Sequence, residues 1–428
     1  MIARKSSFPH QPRPMDAKKV RLMIEKHKLF LSQLVMRYTN LGLSLLLYAA
    51  FISTGNMDAF AQWVLFSLSV SIALTVLDFN AHQYFADAIN SDEATLQAIH
   101  KKISKLKLKI LPLALIMGCG SLALQGASNP IVFSLVSISV MARLSYHSRY
   151  YYEVEKKYKN IIFNETLMNI IFSVIKVYII LCTESIICLF VVYTIEWLLI
   201  GLLYYNIAGK GEVVAVAAKK AGIVNLNSAS SLIVISLLWL AYTKVDVYVA
   251  TYFGTAADIV QINLATKIID VLNAILAAYT FSKLTTGSGP ETILKKITLI
   301  LDGGKKLALF IIFVLNLLVG LFGYVYPNEG AYSDLPLYLH IYSATIILYF
   351  YTGVSARVLF HFEKVHITAL RHSLGLLLNL MLSIILYSQI GVIGIVISTV
   401  LALTFTSLLL DLPFHHTRGL FGKKVFIT

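Results

Sequence analysis

The stretch IAGKGEVVAVAAKKAG, residues 207–222, divides the chain into two halves of similar apolar character. A bilayer-spanning helix needs about 20 predominantly apolar residues. At that length the sequence predicts six spans before this stretch and six after it. The twelve predicted spans begin near Phe30, Phe60, Leu108, Pro130, Ile161, Ser185, Ile223, Asp258, Leu307, Leu335, Ile367 and Val392.

Composition supports a membrane protein built of helices. Hydrophobic residues make up 57% of the chain, charged residues only 14%, and the mean hydropathy is +0.75. We therefore expect an all-α polytopic protein with about twelve transmembrane helices in two six-helix lobes. Because each half has an even number of spans, the halves can be related by a pseudo-two-fold axis along the membrane normal. A short echo supports this relation, since GNMDAFAQ opens span 2 and GTAADIVQ opens span 8.

Positive charge predicts the orientation. All but four of the 36 Lys and Arg residues lie in alternate segments, namely 1–28, 80–109, 143–159, 207–222, 282–306, 357–371 and 414–428. Cytoplasmic segments carry the excess of Lys and Arg, so both termini are predicted to be cytoplasmic. The net charge of +14 thus lies beside anionic headgroups and does not indicate nucleic-acid binding.

The same pattern predicts the domain organisation. Residues 1–29 are polar and basic without a cleavable apolar core, and are predicted to form a cytoplasmic N-terminal extension. An N-lobe of helices 1–6 spans 30–206, a cytoplasmic linker spans 207–222, and a C-lobe of helices 7–12 spans 223–412. Residues 413–428 form a cytoplasmic tail.

Polar residues follow one face of several spans. In span 1 they advance by three or four positions from Gln33 through Arg37 and Asn40 to Ser44 and Tyr48, so they share a helix face. Because a buried charge in lipid is costly, such faces predict a shared hydrated cavity. Similar faces occur in four further spans: Ser67, Ser71, Thr75, Asp78 and His82; Glu165, Asn169, Ser173 and Lys176; Ser228, Ser231, Tyr242 and Asp246; and Asn263, Lys267, Asp270 and Asn273.

The charged members of these faces allow two interpretations. Asp78, Glu196, Asp246 and Asp270 could couple transport to an ion or form structural pairs. Lys267 and Asp270 are i, i+3 neighbours, and Asp246 could neutralise Lys244 or Lys267 across helices. Arg37 and Lys176 have no nearby acidic residue on their own faces, which favours a ligand role. Glu196 is either an ion site or the partner of Lys176.

Motifs for catalysis are absent from the sequence. There is no Walker lysine loop, HExxH or GxSxG, and no cluster with metal-ligand spacing. The chain is therefore predicted not to be an enzyme, and to need no cofactor or metal. Coupling to a proton or sodium gradient is compatible with the membrane carboxylates.

Two stretches resemble a known family. LTVLDFN at 74–80, preceded by GNMDAFAQW at 55–63, and KVDVYVATYFGTAADIVQINLATKIID at 244–270 are similar to stretches of Wzx-type O-antigen polysaccharide flippases. Those flippases belong to the multidrug, oligosaccharidyl-lipid and polysaccharide (MOP) exporter superfamily. The resemblance implies two lobes that alternate access, with a cavity lined chiefly by spans 1, 2, 7 and 8.

The resemblance also implies a substrate. A flippase of this family moves an undecaprenyl-pyrophosphate-linked oligosaccharide across the bacterial inner membrane, where other polysaccharide-assembly membrane proteins would be its partners. Pyrophosphate needs fixed cations, because they donate charge-assisted hydrogen bonds to its oxygens. The candidates are Arg37, Lys176, Lys244 and Lys267. The candidates for sugar contacts are Gln33, Asn40, Asn169, Asn263 and Asn273.

Two other functions are the alternatives. A cation-coupled multidrug efflux transporter of the same fold would have an acidic cavity, whereas these faces carry both signs of charge. A polysaccharide polymerase or glycosyltransferase would need a large outer loop, and the widest outer segment, YPNEGAYSD at 326–334, is short.

Overall fold

The computed structural model describes residues 38–79, 81, 84–85, 93–155, 158–183, 185–208, 226–284, 290–325, 332–361, 364–414, 417–420 and 424. The predicted N-terminal extension, 1–29, and most of the predicted linker, 209–222, lie outside these ranges. Within the described ranges the regular structure is helical. The helices before the mid-chain stretch form the N-lobe: α1 (Tyr38–Thr54), α2 (Met57–Asp78), α3 (Glu93–Leu124), α4 (Pro130–Ala142), α5 (Ser148–Glu155), α6 (Tyr158–Cys182) and α7 (Ile186–Ala208).

The helices after the mid-chain stretch form the C-lobe. They are α8 (Leu226–Phe253), α9 (Ala256–Leu284), α10 (Pro290–Val325), α11 (Leu335–Ser343), α12 (Thr345–His361), α13 (Val365–Ile390) and α14 (Val392–Ser407). Short 3₁₀ turns, Leu144–His147 and Leu409–Asp411, follow α4 and α14. The turn after α4 and helix α5 continue one span, and α11 and α12 together make another.

Eleven helical segments of the described chain are long and apolar enough to cross a membrane. The described part of α1 adds a shorter apolar helix in the place of the first predicted span. The all-α polytopic fold predicted from sequence is confirmed. Because consecutive spans run antiparallel, α2, α7, α9 and α12 finish at one end, beside the lysine-rich segments. We name this the basic end, and the other, where α1, α3, α8 and α10 finish, the opposite end.

Aromatic packing forms the centre of the N-lobe. Phe66 of α2 stacks on Phe190 of α7 with ring centroids 4.1 Å apart, and both rings are buried. Further along α7, Gly201 lies against the backbone of Ala142 in α4, where a β-carbon would come within 2.0 Å of the Ala142 carbonyl oxygen. Small residues allow such close helix approach in membranes, where lipid offers no hydrophobic drive for helix association.

Polar contacts hold the C-lobe helices together. The hydroxyl groups of Tyr242 in α8 and Thr406 in α14 lie 2.8 Å apart and are buried. Gly375 of α13 lies beside both side chains, and a β-carbon there would come within 2.7 Å of Thr406 Cγ2. Large apolar side chains such as Phe310 and Phe313 of α10 are instead exposed, as expected for a surface that faces lipid.

A residue of the C-terminal tail is inserted into the basic end of the C-lobe. Lys424 Nζ lies 2.5 Å from Asp411 Oδ2, and Arg371 Nη1 donates to the other carboxylate oxygen at 2.7 Å. Lys424 also donates to the Ser355 hydroxyl and to the Ser407 carbonyl oxygen. Two cations thus share one buried carboxylate. Burial lowers the pKa of Lys424 to about 8, although Asp411 opposes this effect.

Candidate functional site

The two lobes are joined by hydrogen bonds near the opposite end. Ser121 Oγ of α3 lies 2.8 Å from the Tyr248 hydroxyl of α8. One turn further, the Tyr252 hydroxyl donates to the Leu124 carbonyl oxygen at 2.8 Å. Tyr332, just before α11, contacts Met57 Sδ at 3.3 Å. These contacts close the space between the lobes at that end.

Asn263 marks the closed end of the predicted cavity. Its side-chain nitrogen donates to the Tyr48 hydroxyl of α1 at 3.0 Å, and both residues are buried. The structure therefore brings together two of the polar faces predicted from sequence, those of α1 and α9. Lys267 and Asp270 follow on the same face of α9, nearer the basic end.

Lys244 and Asp270 form an ion pair between α8 and α9. Their Nζ and Oδ2 atoms lie 3.3 Å apart, and 44% of the Asp270 side chain remains exposed. Lys244 is a predicted phosphate ligand, and it retains access to the same space as the carboxylate. Lys267 has no ion-pair partner among the described residues, so its charge is uncompensated there.

Lys176 is paired within the N-lobe. Its Nζ lies 2.5 Å from Glu196 Oε2 of α7, and both side chains are buried. The sequence left two alternatives for Glu196, an ion site or the partner of Lys176, and in the structure it pairs with Lys176. Two turns earlier on α6, Asn169 donates to Asn40 Oδ1 at 2.9 Å, which joins two predicted sugar-binding amides.

Asp78, at the basic end of α2, pairs with Lys107 of α3. The Lys107 side chain is fully buried, whereas 30% of the Asp78 side chain is exposed. The sequence pattern assigns Lys107 only to a basic cytoplasmic segment. The structural pairing that the sequence allows for Asp78 is present, with a partner that the pattern does not indicate.

Asp246 is a buried carboxylate without an ion pair to any described residue. The Tyr342 hydroxyl donates to its Oδ2 at 2.5 Å, and the Val247 N–H donates to its Oδ1 at 2.8 Å. These bonds replace the pairing with Lys244 or Lys267 that the sequence suggested. Tyr342 also lies beside Thr399, which bonds Asn379 of α13.

A cavity of about 340 Å³ lies between α8, α9 and α12. Lys244, Asp270 and Asn273 lie on one side of it, and Arg357 lies near the basic end. The charge pattern places Arg357 in the basic segment after the tenth span and does not select it as a site residue. Its spacing of four and eight residues from Gly353 and Tyr349, which also line the cavity, would have placed it on this face.

Two other predicted site residues, Gln33 and Arg37, lie outside the described residues. Arg143, which the charge pattern also places in a loop, lies inside the N-lobe with its guanidinium 3.1 Å from the centre of the Trp197 ring. Within the described ranges, no group of three His, Cys, Asp or Glu side chains could hold a metal ion.

The fold is similar to those of several solved transporter structures. The lipid II flippase MurJ in its inward closed conformation matches 89% of this chain and 85% of its own, at 14% identity and a TM-score of 0.58. An inward-facing multidrug resistance transporter of the MATE family, in the MOP superfamily, matches 86% of this chain and 92% of its own, at 13% identity and a TM-score of 0.59.

A MATE transporter of Vibrio cholerae, a mutant form of VcmN, also has this fold. It matches 90% of this chain and 95% of its own, at 14% identity and a TM-score of 0.54. No protein-family model and no curated protein sequence matches the chain. At these identities the likeness shows the fold, which is the two-lobed helical fold of MOP transporters.

Proposed function

We propose that the protein is a flippase that moves an undecaprenyl-pyrophosphate-linked oligosaccharide from the cytoplasmic to the outer leaflet of a bacterial inner membrane. The observation that carries this proposal is the charge on α8, α9 and α12 of the C-lobe. Lys244 and Arg357 line the cavity between these helices, with Lys267 on α9, against the exposed carboxylate of Asp270. A cationic surplus suits a pyrophosphate and opposes an organic cation.

The proposed transport cycle starts from the arrangement described above. Contacts such as Ser121 with Tyr248 close the outer end, and the basic end, which we assign to the cytoplasm, admits the substrate headgroup. The headgroup binds between the lobes while the lipid chain stays in the bilayer. Breaking the outer contacts and joining the lobes at the basic end then exposes the headgroup to the other side.

We assign the substrate contacts by charge and by position on the predicted polar faces. Lys244, Lys267 and Arg357, with Arg37 of the first span, bind the pyrophosphate. Asn263 and Asn40, with Gln33, bind sugar hydroxyl groups. Lys176 is buried against Glu196, so we assign that pair to the stability of the N-lobe.

Gradient coupling is proposed to reside at Asp246. An ionisable residue inside a membrane protein without an ion pair marks a functional site more often than a structural one. Asp246 has that environment. A change in its charge would alter the hydrogen bond that the Tyr342 hydroxyl donates to it. A proton or a sodium ion would serve as the coupling ion.

The second candidate is cation-coupled multidrug efflux. The unpaired carboxylate of Asp246 and the likeness to multidrug transporters of the same fold favour it. Depletion of the protein in its own bacterium separates the two. If the protein is a flippase, its depletion causes the lipid-linked oligosaccharide to accumulate on the cytoplasmic face and surface glycan to be lost, with unchanged ethidium accumulation. If the protein is an efflux pump, its depletion raises ethidium accumulation and leaves surface glycan intact.

A further inference from the structure

Two polar atoms at the cavity between α8, α9 and α12 lack partners. Arg357 Nη1 and Asn273 Oδ1 are buried, and neither has a hydrogen-bond partner among the residues the structure describes. Buried polar atoms in native proteins are nearly always satisfied, and each exception calls for an explanation. A bound ligand with both an acceptor and a donor would satisfy both atoms.

The charges around the cavity indicate an anionic group. Lys244 is matched by Asp270 at 3.3 Å, which leaves Arg357 as the surplus charge of the lining. A guanidinium offers two parallel N–H donors and fits a phosphate better than a point charge does.

The rest of the lining suits a sugar ring. Trp239 and Tyr349 present aromatic surface to the cavity, with their rings 5.6 Å apart in an edge-to-face arrangement. The Asn273 amide can accept from a hydroxyl group. Gly353 faces open space and lines the cavity, so a side chain at this position would extend into it.

We propose that this cavity binds a sugar phosphate, with the phosphate at Arg357 and the sugar at Asn273 against Trp239. The inference rests on the proposed function, because it identifies the cavity as the site for the first sugar and its phosphate in the lipid-linked oligosaccharide. Arg357 lies two residues before the end of its span, Leu335–Leu359, and therefore near the membrane surface at the basic end. An ordinary phospholipid headgroup is therefore the competing source of the phosphate.

Tryptophan fluorescence can test this site directly. The chain has three tryptophans, and Trp63→Phe with Trp197→Phe leaves Trp239 as a single reporter in the cavity. The probes are glucose 1-phosphate, inorganic phosphate, glucose and dihexanoyl phosphatidylglycerol, each added to the purified full-length protein. We expect a saturable change with glucose 1-phosphate, at a Kd at least tenfold lower than for phosphate or glucose.

Two variants change the proposed site in different ways. Arg357→Gln removes the charge and should raise the Kd for glucose 1-phosphate at least tenfold, whereas Arg357→Lys should restore part of the affinity. Gly353→Leu fills the cavity without changing its charge and should abolish the response. The matched controls are Arg418→Gln, at an exposed arginine, and Gly320→Leu, at an exposed glycine of α10 with open space around it; both should leave the Kd unchanged.

Several outcomes would overturn the site. An unchanged Kd in Arg357→Gln and Gly353→Leu would do so, as would equal affinity for dihexanoyl phosphatidylglycerol, which would identify a phospholipid pocket. Flipping of lipid-linked oligosaccharide by the same preparations separates this inference from the proposed function. Full flipping by both variants would contradict the site alone, whereas normal binding by a wild-type protein that does not flip would contradict the function alone.

Discussion

The hydroxyl oxygens of Ser121 in the N-lobe and Tyr248 in the C-lobe lie 2.8 Å apart, near the end of the molecule where α3 and α8 finish. This contact belongs to a small set of hydrogen bonds that hold the lobes together on one side. Alternating access requires such contacts to break in each cycle, so their strength sets the balance between the two conformations.

Removing this contact should favour the state that is open at the opposite end. One hydrogen bond contributes about 0.5 to 1.5 kcal/mol, so Tyr248→Phe should shift the ratio of states by roughly twofold to tenfold. Spin labels at Ser128→Cys and Ala257→Cys, in a chain with its three cysteines replaced, would measure the distance between the lobes.

The matched control for that experiment is Tyr178→Phe. Tyr178 is 64% exposed on α6, away from the lobe junction. The distance distribution should broaden toward longer values in Tyr248→Phe and stay unchanged in Tyr178→Phe. Identical distributions in both variants would show that Ser121 and Tyr248 do not stabilise the closed end.

The pair of Lys176 and Glu196 should contribute to stability and not to substrate binding. Lys176→Ala would leave a buried, unpaired carboxylate, which typically costs about 3 to 5 kcal/mol. We expect a sharp fall in the amount of folded protein, measured by fluorescence-detected gel filtration. The double variant Lys176→Met with Glu196→Leu should restore the folded protein, and flipping with it. Normal protein level with lost flipping in Lys176→Ala would instead support a ligand role.

The tail residue Lys424 predicts a dependence of stability on pH. Its pKa in the folded protein is about 8, against an ordinary value of 10.5, because it is buried beside Arg371. Between these values the unfolded chain binds more protons than the folded one, so this residue makes stability rise with pH from about 8 to 10.5. The rise is limited to about 1.4 kcal/mol for each pH unit.

Thermal unfolding measured across that pH range would test the prediction. The Tm of the wild type should rise relative to that of Lys424→Met, which keeps the length of the side chain without the charge. Above about pH 11 the difference should approach a constant value. Parallel Tm curves from pH 7 to 11 would mean that Lys424 titrates at its ordinary value and is not held in the cluster with Asp411.

Asp246→Asn should uncouple transport from the gradient. The amide oxygen can accept from the Val247 N–H while the amide NH2 donates to the Tyr342 hydroxyl, so we expect folding to be preserved. Flipping in proteoliposomes should lose any acceleration by an imposed proton or sodium gradient, while exchange without a gradient persists. Asp334→Asn, outside the spans, is the control. Gradient-dependent flipping in Asp246→Asn would assign coupling elsewhere.

The sequence predicted the spans because their signal is local: each is a long apolar run. It also predicted which faces are polar, as the contact of Asn263 with Tyr48 shows. It offered the pair of Lys176 with Glu196 only as one of two alternatives, and it did not indicate the pair of Asp78 with Lys107, since a partner on another helix leaves no local trace. Lys107 and Arg371 belong to basic segments in the sequence, yet both are buried against carboxylates. A long cationic side chain near the end of a span can extend either to water or to a carboxylate inside the helix bundle. Which of the two it does depends on the side chains of the neighbouring helix.

Flipping of a fluorescently labelled, lipid-linked oligosaccharide by purified protein in liposomes would decide whether the protein is a flippase. Dithionite quenching reports the fraction of label that reaches the outer leaflet. We predict that wild-type protein raises this fraction above that of empty liposomes, that Lys267→Glu lowers the rate at least tenfold by reversing a charge between the lobes, and that Lys101→Glu, on the exposed surface, has no such effect. If liposomes with wild-type protein match empty ones in this assay while accumulating ethidium, the protein is an efflux transporter and not a flippase.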